Sequence, residues 1–395
     1  MRASLILAAA FCCACGFAGN SYGYGPIGHQ VVGGIADERL KNTPQGQQVR
    51  ALLQGISLRK ASVIPDEIKS WDKKSPDDPK ALRYRRTSQV DADLVAFWKA
   101  NPPTKEDNSP IPSHHWFHYT DVPLVRPEKY EDGDAGRSKW DIVHMTAYCV
   151  DVLRGRIPEE NERKITKRIA VILLAHFLGD IHQPLHVGAH YFDKDGNVVD
   201  PAKVKDALVD DGGNTLNLEL NDDPPRGRGM RKRMFHTFWD NDTVMGLLPY
   251  VPEETSKDDR KDIVDAAING LIRDMAAQEP ANWKAPNDLD PARYAQYWAN
   301  DILPLAAEAH QRLDLKRVAP RTDEDRVVAA GDIVEKPGSP PGEYRKWAIE
   351  IVRKELHKGG WRLADLLEKS LAPPPAMTPT MPQSTAAAAA SPGNK

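Results

Sequence analysis

The stretch Ile165-Thr-Lys-Arg-Ile-Ala-Val-Ile-Leu-Leu-Ala-His176-Phe-Leu-Gly-Asp180-Ile-His182-Gln-Pro184-Leu-His186 carries most of what this chain discloses. Apolar residues at three- and four-residue spacing predict a helix over Ile165 to Leu178. His176 and Asp180 are four apart, so on a helix both project from one face and can share a metal. Pro184 disrupts the helix and lets the chain turn, bringing His186 back toward the same spot. His182 follows His176 by six residues, about 240° round a helix, and should point elsewhere. One histidine on an apolar helix is an ordinary core residue. An imidazole and a carboxylate buried together at ligand spacing need partners, and a metal supplies them.

The same texture extends outward. Ile263 to Ala276, Ala292 to Leu313 and Tyr344 to Leu367 all read as helices, and alternation of period two is almost absent. The expected fold class is therefore all-α. Loops are expected at Asn101 to Pro112, Tyr191 to Asn214, Asn221 to Gly229 and Asp323 to Gly342. No internal repeat is visible. The 395 residues are 41% hydrophobic and 28% charged, which excludes a collagen, a coiled coil or a wholly disordered chain. With 53 Lys and Arg against 56 Asp and Glu there is no global basic field, so any nucleic acid would be handled at a local site.

Both ends read differently from the middle. Residues 1–23 open on Met1-Arg2 and a short apolar run that is too short for a membrane span and reads as a secretory signal peptide. Ser21 and Gly23 fit a small-x-small cleavage signature, with Tyr24 the first mature residue. The expected location is then secreted or periplasmic. A lipoprotein alternative would use Cys15, behind a poor lipobox. Three of the four cysteines lie in this run, so the exported form keeps Cys149 alone, most simply a buried small hydrophobe, and has no internal disulfide. Metal is the natural staple. Residues 372–395, rich in Pro, Thr and Ala, are expected to be a disordered tail behind a domain over 24–371.

Further ligand-type residues are scattered along the middle. His236-Thr-Phe-Trp-Asp240 repeats the four-residue spacing, a pair that alone could be a surface interaction. Asp66, in Ile64-Pro-Asp66-Glu-Ile-Lys69, stands where a helix could begin, and its plain reading is a first-turn acid. His118 lies in the aromatic stretch Trp116-Phe-His118-Tyr119-Thr-Asp121. His29 comes five residues after the expected new terminus.

Together these pieces resemble the zinc-dependent, single-strand-specific nuclease and 3′-nucleotidase family of fungi and plants, whose helical fold is shared with bacterial zinc phospholipase C. The family's opening Trp-Gly-x-x-Gly-His is similar to Tyr24-Gly25-Pro26-Ile27-Gly28-His29. Its Asp-Glu-x-Arg is similar to Asp66-Glu67-Ile68-Lys69, and its His-Phe-x-Asp to His118-Tyr119-Thr120-Asp121. Its central motif matches His176 to His186, followed by Gly212-Gly213-Asn214 and by His236 to Asp240. The order is kept, and the resemblance runs from Tyr24 to about Glu368.

The resemblance implies three zinc ions. Asp66, His118, His176 and Asp180 would hold one, and His186, His236 and Asp240 a second. Tyr24 main-chain atoms, His29 and the other oxygen of Asp180 would hold the third. A hydroxide bridging two zincs would attack phosphorus in line, with Asp66, Lys69 and Asp180 as the catalytic residues. Tyr119, Asp121 and Asn214 would hold the base of single-stranded nucleic acid or of a 3′-nucleotide, leaving 5′-phosphate products. The implied protein is a monomer without a stable membrane span. Between His186 and Gly212 the chain carries an insertion, Val187 to Asp211, ending in Asp210-Asp211, which reads as an acidic, mobile flap beside the base. Two alternatives remain: a zinc phospholipase C on the same fold, and a degenerate binding module. Asp121 and Gly213-Asn214 favour the nuclease over the first, and the full ligand set disfavours the second.

Overall fold

The computed structural model describes residues 24–78, 81, 83–84, 88–102, 113–223, 232–323 and 326–373. The expected signal peptide, all but two residues of the tail, and most of the loops at Asn101 to Pro112 and Asn221 to Gly229 lie outside the described residues.

The chain is mainly helical. The first helices are α1 (Pro26–Leu40), α2 (Pro44–Leu52), α3 (Leu58–Ala61), α4 (Ile64–Glu67) and α5 (Gln89–Ala100). The middle of the chain forms α6 (Ile142–Leu153), α7 (Lys167–Asp180), α8 (Phe235–Thr237) and α9 (Thr243–Met245). The long helices α10 (Lys257–Ala277), α11 (Tyr294–Gln311) and α12 (Glu343–Leu371) complete it.

Helix α7 is the axis of the molecule. The Thr166 hydroxyl caps it by accepting from the Ile169 amide at 3.3 Å. Every residue from Ile169 to Asp180 is buried, as a helix apolar on all sides requires, and α1, α3, α6 and α12 surround it. It ends at Asp180. The chain then turns, and Pro184 opens a single 3₁₀ turn, Pro184–His186, that carries His186. The other three helices expected from periodicity are present, each within six residues of its expected ends.

Small sheets sit on this helical body. Strands β1 (Val122–Pro123) and β2 (Gly188–Ala189) pair in parallel and tie the segment after His118 to the segment after His186. Strands β3 (Tyr191–Phe192) and β4 (Leu208–Val209) close part of the insertion as an antiparallel pair. Strands β5 (Leu216–Glu219), β6 (Arg233–Met234), β7 (Leu313–Asp323) and β8 (Arg326–Glu335) form one sheet in the order β6-β5-β8-β7. Thus Asp323 to Gly342 is not simply a loop: its first half is the inner strand of a long hairpin that begins straight after α11. Neither strand alternates cleanly. Only Val328, Ala329 and Ile333 of β8 reach the core among its apolar side chains, and β7 lies exposed at the sheet edge with a bulge between Lys316 and Ala319. Pro320 is tolerated there because an edge strand can leave an amide unused. Strand preference realised by pairing with distant β5 leaves little local pattern to read. The sheet has a positional role: β5 and β6 flank the approach to α8, which holds His236.

Candidate active site

His176 and Asp180 occupy successive turns at the end of α7, both fully buried. Asp180 Oδ2 lies 3.0 Å from His176 Nε2 and 3.0 Å from His118 Nδ1, whereas Oδ1 lies 3.3 Å from His29 Nε2. The two oxygens of one carboxylate face two sets of imidazoles. His29, in the first turns of α1, stacks on His176 with ring centroids 3.9 Å apart. Gly179 makes the room: a Cβ there would stand 2.5 Å from His29 Nδ1. Asp66, in short α4, brings Oδ1 to 3.7 Å from His176 Nε2 and 3.9 Å from His118 Nδ1. The same oxygen accepts from Lys69 Nζ at 2.8 Å, and Lys69 is itself buried.

A second cluster lies alongside. His186 Nε2 and His236 Nε2 are 3.0 Å apart. Asp240 Oδ2 is 3.3 Å from His236 Nε2, and Oδ1 is 4.0 Å from His186 Nε2. Asp240 sits in a widened π turn, Phe238–Asp242, a form that recurs at functional positions. Gln183 donates from Nε2 to Asp240 Oδ1 at 2.8 Å and so orients that carboxylate. Sequence reasoning passed over Gln183, although it lies inside the decisive motif.

Outer hydrogen bonds decide which nitrogen each ring shows. His176 Nδ1 donates to the Ser62 carbonyl at 2.7 Å, His186 Nδ1 to the His118 carbonyl at 2.8 Å, and His236 Nδ1 to the Gly212 carbonyl at 2.7 Å. Each then presents a bare Nε2 to the cluster. Gly212 can offer its carbonyl because it and Gly213 take positive φ, 57° and 80°, a region open to glycine.

The arrangement suits a cation. Two bare nitrogens 3.0 Å apart repel unless something positive lies between them. Burial, with His186 alongside, holds His236 down to about 3. Burial likewise lowers His29, His118 and His186. At His176 burial is outweighed by Asp180 and Asp66, which raise it. Burial would lift Asp180, but His176 and His186 hold it well below the usual carboxylate range. Asp240 is pushed well up by burial, with Asp180 and Asp66 adding to the effect. Asp66, Asp180 and Asp240 are buried together with Lys69. Both nitrogens of His29 and Oδ1 of Asp180 lack a hydrogen-bond partner, which buried polar groups rarely do. The groups His29/His176/Asp180, Asp66/His118/His176 and His186/His236/Asp240 could each hold a metal ion. Imidazole and carboxylate without thiolate suit a first-row divalent ion.

Position 24 abuts the same centre. The Tyr24 side chain is buried and its hydroxyl donates to the His182 carbonyl at 2.7 Å, while the Gly25 amide donates to the Asp240 carbonyl at 2.8 Å. His182 itself turns away, as its angular offset requires: Nδ1 donates to the Leu178 carbonyl at 2.7 Å and Nε2 accepts from Arg362 at 2.9 Å. The Cys149 thiol is fully buried.

Of the residues expected at a base, Asp121 is half-buried, and burial and the carboxylates of Asp211 and Asp210 raise its carboxyl well above the ordinary range. Asn214 donates from Nδ2 to the Asp211 carbonyl at 2.9 Å. Tyr119 is carried between His118 and Thr120, whose amide donates to the His186 carbonyl at 2.9 Å. The Asp210-Asp211 pair is not a free acidic flap. Asp210 is fully buried beside His310, and Asp211 Oδ2 accepts from Arg326 at 2.5 Å. Their partners lie about a hundred residues away, which is why the charges looked unopposed in sequence.

Comparison with known proteins points to one family. Endonuclease 1 of Arabidopsis thaliana is 24% identical over 209 residues, 53% of this chain and 52% of that protein. The chain therefore spans about half the length of that relative. Endonuclease 2 of the same plant is 23% identical over 273 residues, 67% of each chain. Endonuclease 4 is 24% identical over 269 residues, 65% of this chain and 72% of that protein. The S1/P1 Nuclease family description matches residues 24–372, which takes in every side chain placed above. On that match the chain belongs to the S1/P1 nuclease family.

Proposed function

We propose that the protein is a zinc-dependent phosphodiesterase that cleaves single-stranded DNA and RNA and dephosphorylates 3′-nucleotides, leaving 5′-phosphate products on strand cleavage. The observation that carries this reading is the pair of buried clusters in which imidazole nitrogens 2.8 and 3.0 Å apart face carboxylates. Three zinc ions would be held, one by Asp66, His118, His176 and Asp180, one by His186, His236 and Asp240, and one by His29, Asp180 and the Tyr24 main chain. Bound zinc supplies Lewis acidity toward a phosphoryl oxygen and an activated water.

The chain's own residues supply the rest. Lys69, beside Asp66, places a desolvated positive charge where negative charge develops on the phosphoryl group. Being an ammonium, it acts as a point charge and not as a two-pronged donor. Tyr119 and Asp121 contact the base by stacking and by hydrogen bonding at its edge, which requires an unpaired base. Asp240 is oriented by Gln183, and the three histidines by backbone carbonyls, so the ligands are placed before substrate arrives.

Removal of residues 1–23 on export, to a secreted or periplasmic monomer, would free the Tyr24 amine. A neutral amine is a nitrogen ligand and a peptide nitrogen is not. Among the described residues no helix is long and apolar enough to cross a membrane. The test compares chain starting at Tyr24 with chain keeping a Met before it, each assayed for zinc content and for turnover of single-stranded DNA, duplex DNA, 3′-AMP and phosphatidylcholine. The expected result is activity on single strands and 3′-AMP, abolished by chelation, with one zinc fewer in the Met-extended form. Turnover of phosphatidylcholine alone would make it a phospholipase. Chelator-resistant activity would overturn the metal reading, and equal zinc in both forms would overturn the role of the terminus.

A further inference from the structure

A second group of histidines lies outside the site just described. His190 follows β2, Asp210 follows β4, and His310 ends α11. One ligand atom from each falls within 4.8 Å of the others. His310 Nδ1 donates to the Ala306 carbonyl at 3.0 Å, which leaves a bare Nε2 only 3.3 Å from Asp210 Oδ2. The rings of His190 and His310 approach to 4.1 Å between centroids. His190 Nδ1 is buried and has no hydrogen-bond partner. Asp210 and His310 are likewise buried, and among the described residues no lysine or arginine pairs with Asp210.

We propose that His190, Asp210 and His310 hold a further divalent metal ion, separate from the central clusters. Two imidazole nitrogens and one carboxylate oxygen select a first-row ion of the zinc type over calcium or magnesium, which prefer oxygen donors. A cation here gives His190 Nδ1 the partner it lacks and reconciles two acceptors, His310 Nε2 and Asp210 Oδ2, that otherwise face each other. Its role is structural. It joins the insertion, through His190 and Asp210, to the last turn of α11. The joint also steadies the active-site rim, because the Asp210 carbonyl accepts from the amides of Gly213 and Thr215 and from the Thr215 hydroxyl. The adjoining Gly212 carbonyl is the one that orients His236.

The experiment uses the full chain, stripped with chelator and titrated with zinc. Histidine side-chain ¹⁵N shifts are followed in the wild type, and bound zinc is counted in wild type, His190→Gln and His310→Gln. The expected result is a zinc-dependent shift of His190 Nδ1 and His310 Nε2, with each variant binding one zinc fewer than wild type. Should His310→Gln fail to fold by circular dichroism, His190→Gln and the wild-type shifts decide. A His190 signal that ignores zinc, or variants with wild-type zinc content, would overturn the proposal. The central reading is separable: His236→Ala should cost zinc there while the His190 shift persists. If the wild type binds only one zinc and it shifts His190, the central reading fails and this site stands.

Discussion

Replacing Gly212 by alanine tests whether the backbone bend that orients His236 is needed for its metal-facing nitrogen. Gly212 has φ of 57°, and an added Cβ would stand 2.3 Å from the Leu185 carbonyl oxygen and 3.4 Å from His236 Nδ1. Two penalties add. A left-handed conformation costs a non-glycine residue roughly 1–2 kcal/mol. Forcing a methyl into a packed site costs a further 1–3 kcal/mol or so, for a total of about 2–5 kcal/mol. Gly155 is the control. Its φ is 71°, and nothing lies within 4 Å of its would-be Cβ, so Gly155→Ala carries the first penalty alone. Both variants are unfolded in urea with chelator present, which separates strain from metal linkage, and zinc affinity is then measured. Gly212→Ala should be the less stable by about 1–3 kcal/mol. It should also bind zinc about 10–100-fold more weakly, as loss of a ligand's outer partner does, because the methyl wedges the Leu185 carbonyl, and with it His186, away from His236. If the two variants match in urea and Gly212→Ala keeps full zinc affinity, the argument from the bend fails.

Asp180→Asn should lose zinc and nearly all phosphodiesterase activity while keeping its far-ultraviolet circular dichroism, since one carboxylate faces His29, His118 and His176; retained zinc would refute the bridging role. Tyr119→Ala and Asp121→Ala should lower turnover of nucleic acid about tenfold or more beyond any loss on a nitrophenyl phosphodiester, as stacking at roughly 1–3 kcal/mol per base implies; equal losses would assign them to the metal centre. Asp37 accepts from the Leu58 and Arg59 amides at 2.9 Å each, and burial raises its carboxyl to about 6. A carboxyl raised in the folded state is charged at a cost above that value, so chelated protein should gain stability as pH falls from about 6 to 4, by up to roughly 2–3 kcal/mol from this group. Asp37→Asn should lack that gain, as the difference between the two urea-stability profiles against pH would reveal.

How much of this was legible in the sequence varies by element. The helix from Ile165 onward, the shared face of His176 and Asp180, the return of His186 after Pro184 and the divergence of His182 all follow from local rules. Helical angle and the missing amide of proline act within a few residues, so a linear text records them. The same holds for His236 and Asp240, though the turn between them is widened in a way that spacing does not reveal. The hairpin of β7 and β8 was not legible, because its inner strand is stabilised by β5, about a hundred residues earlier, and not by its own alternation. Nor were the tautomers of the histidines, which depend on carbonyls of Ser62, His118 and Gly212 that any residue type could have offered. The acids at the end of the insertion looked unopposed because a charge's partner is set by distance in space. Only the fold brings Arg326 to Asp211, and His310 to Asp210 and His190. Sequence by itself determined which residues could bind a metal and on which helical face they lie. Tertiary structure decided which of their atoms converge, since burial, which raises the cost of every unpaired charge, exists only once distant segments close around it.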